Sequence, residues 1–429
     1  MKNRILLLVF AVVSFSMLLG ACGDSATPDG GGKTITMWTF AQNNADEWTA
    51  RKADIEKKLN ITLNIQLVAQ DAFVEKLQGA MMTGKDVPDM IEWMIENNRI
   101  LASNPKDCFV YPLDEFVKDS ATFKKVVPGR VAWVTYGGHV YGLPHDVHPV
   151  VLIYNDTLWK EVGVDVATIK TWDEFFEASK KLTAKKENGK PVHYALPYSN
   201  NGLQTTMFMI WQQSGAQILD ASGKPTFTDP QFKAFAKKWA EWVNTGAFTE
   251  WDWGKFGAML KNGALASYTS PDWWVSQVTE AANEGTYKFK VRDLPVVSAG
   301  GSTSASWGGS FLAIPKAHKD PASIYKIMEY MQYDKSAITA RYETSGMLAP
   351  MSEIWDNDVF KQPDARFGGQ KLGELQVSQA RAMPEVVSGD IFWDAINDFT
   401  EFYQTYYAGE ITLDEALQKT QAAATKRLK

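Results

Sequence analysis

The sequence contains almost no cysteine, since Cys22 and Cys108 are the only two among its 429 residues. A small fold held together by several disulfides is therefore excluded, and an exported protein with this sequence must depend on burial of its core. Positive charge is not in excess either, because 44 Lys and Arg residues stand against 50 Asp and Glu residues. A net charge of −6 without a long basic stripe argues against a nucleic-acid partner.

The chain also lacks a hydrophobic run long enough to span a bilayer. Two basic residues precede an apolar run at residues 5–19, which is shorter than the roughly 20 residues a membrane helix needs, so a secretory signal peptide is predicted at residues 1–21. Residues 19–22, Leu-Gly-Ala-Cys, resemble a bacterial lipobox, which implies a lipid on Cys22 and a lipidated tether at residues 22–33. A simple cleavage site with an incidental cysteine is the alternative.

What the chain does contain is an alternation of strand and helix patterns. At 429 residues it exceeds the size at which one hydrophobic core keeps growing, so two domains are expected. Strand patterns at residues 35–38, 61–67 and 90–93 are separated by helix patterns at residues 44–60 and 71–82. This order predicts an α/β fold with a largely parallel sheet and ligand chemistry at the carboxyl ends of its strands.

Residues 139–156 pass from a tight turn into an apolar run. Residues 150–154 are continuously apolar, which is typical of a strand buried on both faces. His145, Asp146 and His148 lie just before this strand, between two prolines, on chain that must be extended and held. We therefore expect a crossing between two lobes here. Helix starts are predicted further on at Thr171 with Glu174, Asp229 with Pro230, Asp320 with Pro321, and Thr412 with Glu415.

Sixteen tryptophans are many for this length, and half of them lie at strand ends or in turns beside polar residues. These eight are Trp38, Trp93, Trp251, Trp253, Trp273, Trp274, Trp307 and Trp393. Core packing is the alternative for any one of them, whereas several together favour a ligand. A sugar ring has an apolar face that an indole can cover, and hydroxyls that carboxylates, amides and His nitrogens can bind.

Three histidines and an aspartate, His139, His145, Asp146 and His148, invite a zinc hypothesis. The turn residues among them scatter their directions, so no metal and no other cofactor is predicted. Hydrogen bonding at a cleft is the better use for His148, and surface exposure is expected for His139 and His145.

A Gly/Ser-rich loop at residues 298–310 contains Trp307, Gly308 and Gly309. A phosphate cradle is disfavoured because no lysine follows in the P-loop position. A close approach of the backbone to a ligand at Gly308 and Gly309 is expected instead, and a plain flexible connection is the alternative.

Several short motifs occur in one order along the chain. They are ITMWTF at 35–40, Pro-Asp at 88–89, VYGLP at 140–144, IYN at 153–155, TWDEF at 171–175, GAM at 257–259 with Pro271 and Trp273, and SWGGSFLAIPK at 306–316. With the lipobox, they resemble the extracellular solute-binding proteins of bacterial ABC transporters, in the family that includes maltose-binding protein. The resemblance covers most of the mature chain.

The resemblance implies a two-lobe periplasmic-binding-protein-like fold (type II), with mostly parallel sheets flanked by helices and a hinge of two or three crossings. The implied crossings lie near residues 146–149, 295–298 and 346–350. Lobe 1 would comprise residues 34–146 and 298–346, and lobe 2 residues 147–297 and 347–429.

The resemblance also implies ligand contacts by position. Trp93 and Trp273 match stacking aromatics, and His148 falls where maltose-binding protein has a crossover carboxylate, which is a departure from the family pattern. With the residues of the Gly/Ser loop, the predicted ligand-binding set is Gln42, Asn43, Trp93, Glu96, Asn97, His148, Tyr198, Trp273, Trp307, Gly308, Gly309 and Trp393.

The expected function is non-catalytic capture of a carbohydrate, most simply an oligosaccharide, and its delivery to an ABC permease. The protein would be a monomer, lipid-anchored through Cys22 to the outer face of the cytoplasmic membrane. Two alternatives stay open. An exported glycoside hydrolase would need two carboxylates flanking one glycosidic bond, for which Glu92, Asp146, Glu250 and Asp252 are available. The same fold could also bind a non-sugar solute.

Overall fold

A computed structural model describes residues 32–98, 108–198, 203 and 205–428, with the backbone alone at residues 97 and 98. The predicted signal peptide, the lipidation site Cys22 and all but the last two residues of the tether lie outside the described residues. In the described part of the chain, no helix combines the length and the apolar character needed to cross a membrane.

The strands of the described residues are β1 (Lys33–Thr39), β2 (Ile61–Leu67), β3 (Met90–Met94), β4 (Thr135–Tyr136), β5 (His139–Val140), β6 (Leu143–Pro144), β7 (Val150–Asn155), β8 (Lys186–Glu187), β9 (Lys190–Pro191), β10 (Leu196–Tyr198), β11 (Phe248–Glu250), β12 (Ser267–Pro271), β13 (Phe289–Arg292) and β14 (Ser310–Ala313). The helices are α1 (Gln42–Leu59), α2 (Gln70–Thr83), α3 (Asp114–Val117), α4 (Pro128–Trp133), α5 (Asp156–Glu161), α6 (Trp172–Leu182), α7 (Thr205–Gln213), α8 (Pro230–Val243), α9 (Phe256–Lys261), α10 (Thr279–Asn283), α11 (Pro321–Tyr333), α12 (Lys335–Ser345), α13 (Leu372–Arg381), α14 (Phe392–Tyr407) and α15 (Leu413–Lys426).

The first sheet has the strand order β2-β1-β3-β14-β6. β1 is parallel to both β2 and β3, as the alternation of strands and helices predicts, because α1 and α2 return the chain between them. β14 comes from more than 200 residues later in the chain and is antiparallel to β3 and β6. The carboxyl ends of β1 and β3 therefore meet the start of β14 at one edge of the sheet.

The second sheet has the order β12-β7-β13, and all six residues of β7 are buried, as its apolar sequence predicts. Both neighbours run antiparallel to β7. The expectation of mostly parallel sheets thus holds for β1 to β3 and for the pair β10 and β11, but it is wrong for this sheet. The reason is that β7 leaves the crossing at residue 149 while β12 and β13 carry the chain back toward it, which brings Asp272 to the crossing.

Local helix signals are largely confirmed. Thr171 with Glu174 and Thr412 with Glu415 both form complete capping boxes, and the side chain of Asp320 caps α11. The start predicted at Asp229 with Pro230 is confirmed as well, since Asp229 is the N-cap residue and α8 begins with Pro230, although the side chain of Asp229 makes no capping hydrogen bond. Proline suits this first position because its missing N–H would have no helical partner there.

Separate buried clusters pack on the two sheets. Ile35, Met37 and Leu63 of the first sheet pack with Trp48 and Ile55 of α1. A larger cluster on β7 includes several aromatic side chains of α6, α8 and α14. Two cores of this kind fit the expectation from chain length, although the predicted lobe boundaries stay a prediction.

Three chain segments run side by side between the two cores. His145 N donates to Ser310 O at 2.9 Å, Val150 N to Ala305 O at 2.9 Å, and Val147 N to Leu348 O at 3.1 Å. The segment beside residues 145–150 is thus 305–310, and the predicted crossing at 295–298 stays a prediction. Val296 pairs with Lys170 and Trp172 at the start of α6.

Candidate ligand-binding site

A cavity of about 460 Å³, called here the front cavity, lies where the three crossing segments meet the carboxyl end of the first sheet. Phe40 and Ala41 line it from the loop after β1, and Met94 lines it from the end of β3. Ser310 and Met347 line it from two of the crossing segments. Its position matches the expectation that ligand chemistry lies at strand carboxyl ends.

One side of the front cavity, the polar wall, is formed by Asn43, Asn44, Gln70, Glu92 and Glu96. Glu92 is buried and accepts hydrogen bonds from Thr39 Oγ1 and Asn44 Nδ2, and its burial raises its pKa. Burial also raises the pKa of Glu96, to about 7, because the charged form loses its hydration. Oε2 of Glu96 has no hydrogen-bond partner among the described residues.

Another part of the lining, the indole wall, is formed by Trp253, Trp273 and Trp307. The ring centroids of Trp253 and Trp307 lie 6.1 Å apart with planes only 19° from parallel. Trp273 Nε1 donates to the backbone oxygen of Trp307 at 3.1 Å, which holds these two residues together. Trp253 is 56% exposed, which is unusual for a tryptophan and leaves much of its ring available at the mouth.

The floor of the front cavity is a buried group of charges around His148. Its Nε2 lies 2.9 Å from Asp146 Oδ2 and its Nδ1 lies 2.5 Å from Asp272 Oδ1, so both ring nitrogens donate and the ring is an imidazolium. Burial lowers the pKa of His148, but the two carboxylates outweigh that effect and raise it to about 9. Arg130 Nη2 binds Asp146 at 2.8 Å on the other side.

Asp146 and His148 hold fixed positions in this floor. Burial raises the pKa of Asp146, yet His148, His145 and Arg130 together hold that pKa well below its usual range. His148 has a φ of 56°, a left-handed conformation that is costly for a residue with a side chain and needs support from its surroundings. Hydrogen bonds at both ring nitrogens supply that support.

Seven of the predicted ligand-binding residues line the front cavity together. They are Asn43, Glu96, His148, Trp273, Trp307, Gly308 and Gly309. A close backbone approach does occur at Gly308, where φ is +85° and an added Cβ would lie 3.1 Å from Trp273 Nε1. The approach is thus to an indole of the wall, and contact of the two glycines with a ligand stays a prediction.

Trp93 does not line the cavity, contrary to expectation. It is 1% exposed and packs edge-on against Phe73, with ring centroids 6.5 Å apart. The reason is the alternation of side chains along an extended strand. Glu92, Met94 and Glu96 face the cavity, so Trp93 must face the core together with its odd-numbered neighbours.

Three further predicted residues also lie away from the cavity. Gln42 is the first residue of α1 and bonds Asp46 at 2.7 Å in the next turn. Tyr198 is buried against Trp239, and Trp393 is partly buried and stacks on Phe208. Polar residues stand near Tyr198 and Trp393 in the sequence, but both rings pack against other aromatic side chains in the second core. The side chain of Asn97 lies outside the described residues.

The histidines outside the cavity point in different directions. His139 Nδ1 bonds Asp114 at 3.0 Å, whereas His145 is fully buried with Nε2 3.0 Å from Glu47, so the expected exposure of His145 is wrong. Arg341 binds the same Glu47 carboxylate, and this pairing makes burial of the histidine tolerable. Among the described residues, no group of three or more His, Cys, Asp or Glu side chains is arranged to hold a metal ion.

Some lining residues were not in the predicted set. Asn44, Glu92, Asp146 and Trp253 could have been found. The first three lie within two residues of Asn43, Trp93 and His148, and Trp253 belongs to a Trp-Asp-Trp turn. The side chain of Asp252 fixes that turn by accepting from the backbone of Gly254. Nothing in the sequence around Met347 indicates its place.

Comparison with known proteins agrees with this geometry. Residues 50–368 match the family model of the bacterial extracellular solute-binding proteins. The arabinooligosaccharide-binding protein of Halalkalibacterium halodurans is 23% identical over 411 residues, covering 91% of this chain and 88% of the relative.

Solved structures show the same architecture. The ABC transporter associated binding protein of B. animalis subsp. lactis, in complex with β-1,6-galactobiose, has a TM-score of 0.72 at 23% identity and covers 92% of this chain and 98% of its own. A solute-binding protein of Thermotoga lettingae bound with α-D-tagatose has a TM-score of 0.74 at 20% identity, covering 93% and 100%. The fold is therefore the type II periplasmic-binding fold, and the chain belongs to the bacterial extracellular solute-binding proteins.

Proposed function

We propose that this protein captures an oligosaccharide outside the cytoplasmic membrane and delivers it to the permease of an ABC transporter. The observation that carries the proposal is the pairing of an indole wall with a polar wall in one cavity. Indoles cover the apolar face of a sugar ring, and carboxyl and amide groups bind the hydroxyls at its edge. The names of the relatives, an arabinooligosaccharide-binding protein and a galactobiose complex, support the same class of ligand.

The two walls are already joined by one contact. Asn43 Nδ2 donates to the backbone oxygen of Trp273 at 3.4 Å, from α1 to the start of the 3-10 helix at residues 272–278. A ligand that contacts both walls favours the arrangement in which they are joined by its differential affinity, and the permease would recognise that form. A lipid on Cys22, a place on the outer face of the membrane and a monomeric state are part of the proposal.

The hydrolase alternative has one observation in its favour, which is the raised pKa of Glu96 beside the cavity. Other carboxylates are already engaged. Asp146 is held by Arg130 and His148, and Asp252 fixes its own turn. Glu92 lines the cavity with Glu96 and also has a raised pKa, but its carboxylate accepts from Thr39 and Asn44. Capture without chemistry is therefore the simpler use of the site.

A thermal-shift screen of the full chain against monosaccharides and arabino- and galacto-oligosaccharides tests the proposal. An oligosaccharide at ~100 times its Kd should add about 2.7 kcal/mol to the free energy of unfolding. The same mixtures, resolved by chromatography, should contain unshortened sugar. Shortened chains would establish a hydrolase, and stabilisation by charged or peptidic solutes alone would favour a non-sugar cargo.

A further inference from the structure

A second cavity of about 560 Å³, called here the back cavity, lies on the other side of the crossing segments. The same two segments contribute neighbouring residues to both cavities. Asp272 lines the back cavity and the next residue, Trp273, lines the front one; Gly346 and Met347 divide in the same way. Asp272 also accepts a hydrogen bond from Leu348 N at 2.9 Å, so its carboxylate links these two segments to each other.

The back cavity presents an unused amide. Gln376 on α13 lines it and is 1% exposed, and neither Nε2 nor Oε1 has a hydrogen-bond partner among the described residues. A buried amide with neither group bonded costs free energy, of the order of 1–3 kcal/mol for each unsatisfied group. Such a group calls for an explanation, and a bound partner is one that would remove this cost. The cavity beside it has room for a small solute.

The lining determines what kind of solute fits. Asp272, Glu343 and Asp364 contribute carboxylates, against which Arg366 is the single cationic residue of the lining. Arg366 is already paired with Asp364 at 2.6 Å, so an anion would find no available positive group. An ammonium ion can only donate and would leave Nε2 of Gln376 unpaired. A hydroxyl group both donates and accepts, so it can satisfy both ends of the amide.

We propose that the back cavity is a second binding site, for a small neutral polyhydroxy compound, and that its occupation strengthens ligand capture in the front cavity. The coupling part of this inference rests on the proposed function. The occupant would contact the 3-10 helix at 272–278, which packs in the core of the second sheet, and the end of α12, which packs in the core of the first. It therefore stabilises the arrangement in which Asn43 and Trp273 are joined.

Direct binding is tested with glycerol as the probe and the full chain labelled with ¹⁵N-glutamine. The side-chain amide resonance of Gln376, identified by its loss in Gln376→Met, should shift saturably with glycerol while that of Gln70 in the front cavity does not. Ala365→Trp, which fills the back cavity from an exposed position, should abolish the shift. No shift, an equal shift at Gln70, or a shift with methylammonium but not glycerol would overturn the site or its ligand class.

Coupling is tested separately, by titrating the front-cavity oligosaccharide with and without glycerol. Its Kd should fall at least threefold in the wild type, and should not change in Ala365→Trp or in Gln376→Met, which keeps the side-chain volume. An equal effect in all three proteins would be a solvent effect and would overturn the coupling. If no oligosaccharide binds, the proposed function fails while the glycerol titration of Gln376 still decides the site.

Discussion

The polar wall and the indole wall of the front cavity are built in opposite ways. On the polar wall, Glu92 lies in the middle of a buried strand, and its carboxylate is held by Thr39 and Asn44. On the indole wall, Trp253 projects from a short turn and is more than half exposed. A hydrogen-bonding group needs a fixed direction, whereas a stacking surface only needs to be flat and available. We infer that the polar wall determines which hydroxyl pattern fits and the indole wall contributes affinity.

The largest expected effect concerns a tryptophan that belongs to neither wall. Trp93→Ala should lower the free energy of unfolding by about 3–5 kcal/mol, because it empties a fully buried site behind the polar wall. Urea denaturation measures this change. Trp253→Ala is the matched control and should alter stability little, because its ring is mostly exposed. Equal stability losses in the two variants would contradict the division between core and wall.

Removal of an indole from the wall should act on affinity instead. Trp273→Ala should weaken oligosaccharide binding by about 1.5–3 kcal/mol, the value of burying one large apolar side chain. That loss corresponds to roughly a tenfold to 150-fold higher Kd, measurable by calorimetry. Trp211→Phe, which changes a fully buried indole of the second core, is the control and should leave the Kd unchanged. An unaltered Kd in Trp273→Ala would remove the indole wall from the binding site.

The carboxyl group of Glu96 makes the polar wall sensitive to pH. Its pKa is raised from 4.5 to about 7 in the folded protein, so the folded state binds the proton more tightly and this contribution to stability is lost as pH rises through that window. The difference in unfolding free energy between wild type and Glu96→Gln should therefore fall with rising pH, by up to about 1.4 kcal/mol per unit. Denaturation series at several pH values measure it. If this difference in unfolding free energy did not change with pH, the carboxyl group of Glu96 would be solvated in the folded protein.

The smallest effect is expected at the hydrogen bond that joins the two walls. Asn43→Ala removes the donor to the Trp273 backbone oxygen, and because the contact is exposed and 3.4 Å long, the Kd should rise by less than about fivefold, or ~1 kcal/mol. Calorimetry with the same oligosaccharide measures this rise. Asp46→Ala, on the solvent side of the same helix, should have no effect on the Kd. A loss as large as that in Trp273→Ala would mean that Asn43 binds the ligand directly.

The strands and most helix starts could be predicted from the sequence because their signals are local. Residues 150–154 of β7 are continuously apolar, and Thr171 with Glu174 contains all the atoms of its capping box. The orientation of the second sheet could not be predicted in this way, because it depends on where β12 and β13 return to the crossing.

The candidate site was predictable only in part, for a related reason. On β3, a shift of one position decides whether Trp93 or Glu92 faces the cavity, and the motif alone does not say which face is covered. The sheet decides, because β14 and β1 flank β3 and the odd-numbered side chains join a core formed by distant residues. His148 could be assigned to the cleft, but its partner Asp272 lies 124 residues away and becomes visible only in three dimensions.

The place of β14 in the first sheet has a consequence for biosynthesis. Because β14 lies between β3 and β6, the ribosome must make residue 313 before the sheet that begins at residue 33 can close. Pairing of such distant segments is slow, since a long loop has to be ordered before any contact rewards it. The first sheet should therefore stay incomplete until β14 has been made, and an incomplete sheet is easier to thread through a narrow export channel than a finished one.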